Sequence, residues 1–392
     1  MVDPTRFFYY IAQKDHPVSN QSPFWTSPIP LRRNLAGLPP NSEQMPFISY
    51  GDYFTGARSF LSRNHFEAFI NAAADVYHLE INPRDIEVIR IFLAKHGEFY
   101  HPSRIEVNVR NRCLVFVLNV AISDTGLQFI QKEYQFLNHL NMSFPYSFLP
   151  RVYSQGEVGF HHGRSIRLFL AEWFEGFYEF HLFRRSADNK TGIAVWDDIR
   201  GNYYLNDAQA LKLYEQAAMI LTCYFNVMTS ERISSWHHAA GDFVIKVDNE
   251  NLEARLITVR SYTPLIENID NDLDSLFDAL LIFFLNLSIR MRLDRIDGVG
   301  ETAWCDDLAV KGTVEGFFQG LKYQIKADLI PNDLVHGFRA YLRLFKVDDL
   351  LSWTAALVDR LHPNAPELKL IKSRLNEHVK SLHTILNRNN ER

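Results

Sequence analysis

The stretch "IEVNVRNRCLVFVLNVAISDTGLQFIQKEYQFLNHL", Ile105 to Leu140, changes its period twice, and those two changes decide the fold. Alternating apolar and polar residues on both sides of Arg110-Asn111-Arg112 predict a β-hairpin. In its second strand Leu114, Phe116, Leu118, Val120 and Ile122 point one way, while Val115, Val117, Asn119 and Ala121 point the other. At Ser123–Thr125 cap residues appear, and Leu127, Ile130, Tyr134, Leu137 and Leu140 then follow a helical period. Two further strands are expected in "RVYSQGEV" (151–158) and "SIRLFLAEWF" (165–174), joined by the polar turn "GFHHGR". Strand, strand, helix, strand, strand is the order at the centre of the chain.

Upstream, residues 1–50 carry scattered prolines and no period, which reads as an extended arm or a series of turns. A helical pattern is expected over 56–95. Phe66, Phe69, Ile70 and Ala73 would share one helix face, and Pro83 would open a second helix bearing Val88, Ile91 and Phe92. Downstream of Gly176 the chain reads as mainly helical. A long amphipathic helix starts at Asn206 or Asp207, and others are expected at 270–296, 313–328, 333–343, 346–361 and 366–388. Between them lie "SSWHHAAGDFVIKV" (Ser234–Val247) and a short strand in "RLITVRSY".

A chain of 392 residues exceeds what one core usually serves, so two or three core-forming units are expected. Hydrophobic residues at 47% and charged residues at 22% are ordinary for a globular protein. A net charge of −5 argues against a dedicated nucleic-acid binder. Cys113, Cys223 and Cys305 form no metal-knuckle or disulfide spacing, which suits a reducing, cytoplasmic setting. The most apolar segment, Leu276–Ile289, contains Asp278 and Asn286 and is too short to span a membrane, so no membrane partner is expected.

This order of elements resembles the protein-kinase-like fold, and most nearly its aminoglycoside-phosphotransferase and choline-kinase branch. "LFLAEWFEGFYEFHLF" (Leu168–Phe183) looks like the last small-lobe strand running into the hinge. The resemblance covers roughly residues 105–290. It implies an α+β, two-lobed molecule with an antiparallel small lobe with one helix over 101–175 and a helical large lobe over 176–392; the arm and helical extension expected over 1–100 fall outside the resemblance. The resemblance also implies ATP and Mg2+ as cofactors and a small-molecule ligand in an interlobe cleft; a protein partner is expected, on the binding-module reading, through the N-terminal extension.

Phosphoryl transfer in such folds uses a lysine on the phosphates, a glutamate that holds it, an acceptor base and metal ligands. Residue by residue, the resemblance puts Asn119 at the lysine position, beside Val117 over the adenine, and Glu133 at the helix glutamate. Glu133 also reads as a solvated helix carboxylate. Glu172 and Phe174 fall at the hinge. In one register Asp242 is a metal ligand, with His237 or His238 near the base. In the other Asp242 is the base, and Val247 falls where a metal-binding amide belongs. The first is preferred because "FVIKV" then stays a strand. The second metal position holds Thr258, with Arg260 two residues on; a hydroxyl is a poor Mg2+ anchor. "NVRNRC" contains no glycine for a phosphate loop. These departures imply either an atypical phosphotransferase acting on a small hydroxyl compound or a silent pseudokinase that binds a ligand or protein.

Two other features carry chemistry. The adjacent pairs His161–His162 and His237–His238 offer one ligand per site at most, because neighbouring strand residues face opposite ways. The acidic segment Arg292–Asp307 gathers Asp294, Asp297, Glu301, Asp306 and Asp307, and reads either as a capped loop between helices or as a carboxylate cluster beside the site.

Overall fold

The computed structural model describes residues 6–11, 16–30, 47–97, 99–161, 163–185, 191–197, 200–239, 241–249, 251–267, 272–298 and 300–389. His162 of the first histidine pair lies outside the described residues. The chain divides into two units, one of residues 1–139 and 150–175, the other of residues 140–149 and 176–392. The fold is α+β: a mostly antiparallel sheet in the N-terminal part, then a mainly helical C-terminal part.

The first unit contains β1 (Arg6–Ile11), α1 (Tyr50–Leu61), α2 (Glu67–Val76), β2 (Ile86–Leu93), β3 (His101–Val109) and β4 (Arg112–Ala121). Helix α3 (Asp124–Ser143) begins there, and β5 (Val152–Gly159) and β6 (Ser165–Glu172) complete it. The strands form one sheet in the order β1-β2-β3-β4-β6-β5, antiparallel except for the β1–β2 pair. The hairpin read at Arg110-Asn111 is present. Both residues have positive φ (44° and 66°), the backbone of a two-residue turn whose twist matches its strands. Leu114, Phe116, Leu118 and Val120 share a buried core with Phe54, Ala57 and Phe60 of α1 and with Phe69 of α2. The Ser123 hydroxyl accepts from the Gly126 backbone N–H and caps α3.

Two expectations for this unit need correction. The segment expected as a second helix from Pro83 is a single 3-10 turn, Pro83–Asp85, followed by strand β2. Ile86, Val88, Ile89 and Ile91 are β-branched residues that lose side-chain freedom in a helix and pack well on a pleated surface. Nor is the N-terminal segment only an arm or turns: Arg6–Ile11 forms a strand, and β1 adds to the edge of β2 along six residue pairs, Arg6↔Val88 to Ile11↔Leu93.

The second unit opens with β7 (Phe180–Arg184), β8 (Thr191–Val195) and β9 (Tyr203–Tyr204), which form a three-stranded sheet. The expected onset of helix after Gly176 is thus displaced to α4 (Asp207–Cys223), capped by Asn206 in a reciprocal box with Gln209. Next come β10 (Glu231–Ser234), β11 (Phe243–Asp248), β12 (Asn251–Leu256) and β13 (Ser261–Pro264). Then follow α5 (Leu273–Arg290), β14 (Leu293–Arg295), β15 (Thr302–Trp304), α6 (Asp307–Lys326), α7 (Asn332–Leu342), α8 (Val347–Asp359) and α9 (Leu368–Asn389). The apolar segment at 276–289 is the buried body of α5, and no helix among the described residues is long and apolar enough to cross a membrane.

Helices α4 and α6 press together through glycines four residues apart. A Cβ on Gly316 would lie 2.0 Å from the Glu215 carbonyl oxygen, and one on Gly320 would lie 2.6 Å from Thr222 Cβ. No side chain fits there, so the repeat of glycine along α6 sets the spacing of the helices that carry the rest of this unit.

Candidate functional site

The second unit brings Asp242, Thr258, Arg260 and His237 together around the bend between β10 and β11. Strand β10 ends at Ser234, Ser235 turns the chain with φ 61°, and Gly241 turns it again with φ 89°. That places Asp242 at the mouth of β11, where its carbonyl oxygen accepts from the Ile257 N–H at 2.8 Å. Its side chain is 1% exposed.

An ionised carboxylate offers about four lone-pair positions, and here four donors meet them. On Oδ2, Asp242 accepts from Arg260 Nη1 at 2.6 Å and from the His237 backbone N–H at 2.7 Å. On Oδ1 it accepts from Arg260 Nη2 and from the Thr258 hydroxyl at 3.0 Å. Arg260 Nη1 also donates to the Ser235 carbonyl at 2.8 Å, so one guanidinium ties both sides of the bend. The fork geometry matches a planar cation to a planar anion.

This arrangement tests whether the residues present fit a divalent metal, and they do not. Both oxygens of Asp242 are taken, and the Thr258 hydroxyl gives its proton to the same carboxylate instead of turning a lone pair outward. A Mg2+ ion would have to displace a guanidinium from a buried carboxylate and dehydrate to do so. Among the described residues, no group of three or more His, Cys, Asp or Glu side chains is placed to hold a metal.

The two histidines of the bend part company. His237 is exposed, with its backbone N–H on Asp242. His238 is fully buried. Its Nδ1 lies 3.2 Å from Asp294 Oδ2 but off the hydrogen-bond line, and its Nε2 lies 3.9 Å from Cys305 Sγ. Burial pushes the His238 imidazole down to about 3, which leaves it neutral. A neutral ring with no exposed surface cannot take a proton from an acceptor arriving through solvent, so the arrangement argues against the expected base role of His238.

Asp294 is also buried, accepting from the backbone N–H groups of Ala239 and Arg295. Burial holds its carboxyl above the usual carboxylate range, against the pull of His237 and the two N–H donors. Burial likewise pushes the Cys305 thiol up to about 12. Cys305, His238 and Asp294 therefore lie in the order of a nucleophile, base and orienter while being sealed in the core. Three of the other four carboxylates of the acidic segment have partners: Glu301 binds Arg184, Asp306 caps α6, and Asp307 binds Arg292. The capped-loop reading describes them better than a carboxylate cluster does.

The remaining candidates lie in the first unit. Asn119 is 8% exposed on β4, paired with Pro102 of β3 and Phe169 of β6. Val117, half-buried, pairs with Arg104 and Ala171. Glu133 is 2% exposed on α3, so the solvated-carboxylate reading does not hold. Glu172 is committed to the sheet: its N–H donates to the Arg151 carbonyl at 2.9 Å, and its carboxylate accepts from the Arg151 N–H at 3.2 Å. Phe174 follows two residues beyond β6, half-buried.

Sequence reasoning named Arg260 without giving it a role, and it placed Asp294 in an acidic loop instead of beneath the bend. The signal for Arg260 was the neighbourhood: a cation two residues past an expected carboxylate position that holds threonine.

No family model matches the chain, and no curated protein matches it in sequence. Among the solved structures that match is WaaP in complex with acyl carrier protein. It is 10% identical, covers 62% of this chain and 86% of that chain, and superposes with a TM-score of 0.27. A likeness of that size does not establish a shared fold.

Proposed function

We propose that this protein is a catalytically silent, protein-kinase-like binding module. The observation that supports the reading is the Arg260 fork on Asp242. In the register that keeps β11 intact, Asp242 stands where the family holds its metal, and a fixed guanidinium supplies the positive charge there instead. The substitutions agree with it: asparagine at 119 for a phosphate-binding lysine and threonine at 258 for a metal carboxylate. Phosphoryl transfer relies on positioning and charge neutralisation, so losing a movable metal and a lysine together removes most of the catalytic apparatus. His237 remains as an exposed polar group at the bend, suited to contacting a bound ligand.

The experiment is ATP turnover by the full chain with Mg2+ and with Mn2+, against the Asp242→Asn variant. The reading expects no difference between parent and variant. Turnover that the parent shows and Asp242→Asn abolishes would replace it with the atypical phosphotransferase reading, in which Asp242 and His237 act on a small hydroxyl acceptor.

A further inference from the structure

Within the second unit, α4, α6 and α7 border a cavity of about 530 Å³, a size that suits a small organic ligand. Lys322 and Lys326 of α6, one helical turn apart, and Arg339 of α7 contribute three cations to its lining. None of the three has a carboxylate partner among the described residues. Arg339 instead lies over the Phe318 ring, 3.7 Å from its centroid, and Lys326 lies 6.0 Å from the centroid of Tyr323. Of the two carboxylates in the lining, Glu215 is taken by Lys212 at 2.9 and 3.0 Å, which leaves Glu315 alone to offset three positive charges. Gln319 adds a side-chain carbonyl oxygen that is buried without a hydrogen-bond donor, a further unpaired polar group in the lining.

Like charges gathered in one concavity repel one another, and Glu315 with the two ring contacts offsets that repulsion only in part. Burial and the neighbouring Arg343 already lower the proton affinity of Arg339. An anion relieves the repulsion, and aromatic walls under a guanidinium and an ammonium orient both for an incoming ligand. We infer that this cavity binds a phosphate-bearing anion through Lys322, Lys326 and Arg339, with Phe318 and Tyr323 forming the apolar wall. Its bearer is either a soluble phosphorylated compound or the phosphomonoester headgroup of a lipid. The inference is independent of the reading of Asp242, because no residue is shared.

Two probes are tested on the full chain. Inorganic pyrophosphate is titrated calorimetrically, and phosphatidylcholine vesicles with and without phosphatidic acid are tested by co-sedimentation. The double variant Lys322→Gln/Lys326→Gln removes two charges from exposed positions, and an unchanged melting temperature will show that it folds. Loss of two charge-assisted contacts should weaken binding by at least about tenfold. Glu315→Gln should tighten it, because it removes the opposing charge. Pyrophosphate binding weakened by the double variant supports the soluble source, and phosphatidic-acid-dependent sedimentation lost in that variant supports the lipid source. Failure of both probes to bind at millimolar concentration, or binding that the double variant leaves intact, overturns the inference.

Discussion

Replacing Arg260 with alanine leaves Asp242 buried with half its donors gone, and the structure sets the size of the effect. Breaking a fully buried ion pair from one side costs about 3–5 kcal/mol. The Arg260 side chain is 27% exposed, and Thr258 and the His237 N–H remain on the carboxylate. Solvent screening and those two donors reduce the expected cost to about 2–3 kcal/mol. In a chain of two units a global melting temperature mixes transitions, so the assay is local: native-state hydrogen exchange read on peptides covering 235–260. A loss of that size should speed exchange there by about 30- to 150-fold and leave the first unit unchanged. A double-mutant cycle with Asp242→Asn isolates the pair, because the amide can no longer demand a cation. Millimolar Mg2+ should partly restore protection in Arg260→Ala, the cation filling the space the guanidinium leaves, and should do nothing to the parent. A coupling energy below about 0.5 kcal/mol, or exchange that stays at the parental rate, would refute the view that Arg260 holds the bend.

Other outcomes follow from the same structure. Gly316→Ala should destabilise the second unit by about 1–3 kcal/mol despite alanine's better helix propensity, since its Cβ would meet the Glu215 carbonyl at 2.0 Å; a raised denaturation midpoint would contradict the packing account. Burial pushes His101, His238 and His378 each down to about 3, so in the unfolded chain they bind protons below about pH 6.5 that the folded chain refuses. Stability should therefore fall as pH drops from about 6.5 toward 4, by about 1.4 kcal/mol per pH unit for each such histidine. Asp294 acts the opposite way, being raised, and its contribution is full below its unfolded value and fades as pH rises through its folded one. Three groups outweigh one, so urea midpoints that match at pH 7 and pH 5 would contradict the burial of these rings. Asn111→Gly should stabilise the first unit by about 0.5–1 kcal/mol, because Asn111 sits at φ 66° in a turn that favours glycine; a lowered midpoint would mean the turn differs from the one described.

What the sequence made legible was local and periodic. The hairpin at Arg110-Asn111, the Ser123 cap of α3 and the Asn206 cap of α4 each depend on residues within a few positions of one another. Strand β2 was misread because Val88, Ile91 and Phe92 satisfy a helical spacing as well as an extended one, and only its neighbours β1 and β3 decide between them. The sheet of β7 to β9 was hidden for a similar reason, its strands being short and its aromatic residues reading equally well as hinge packing. At the candidate site the bend itself was visible, but the partners of its polar groups were not. Arg260 reaches Asp242 across 18 positions and Asp294 approaches His238 across more than 50, and no local pattern encodes such distances.

The most direct test of the central claim is a titration of the full chain with Mn2+ in the presence of ATP, read by electron paramagnetic resonance, on the parent and on Asp242→Asn. If Arg260 supplies the charge at Asp242, the parent will show no stoichiometric Mn2+ site that the variant lacks. One bound Mn2+ per chain, present in the parent and lost in Asp242→Asn, would contradict the account.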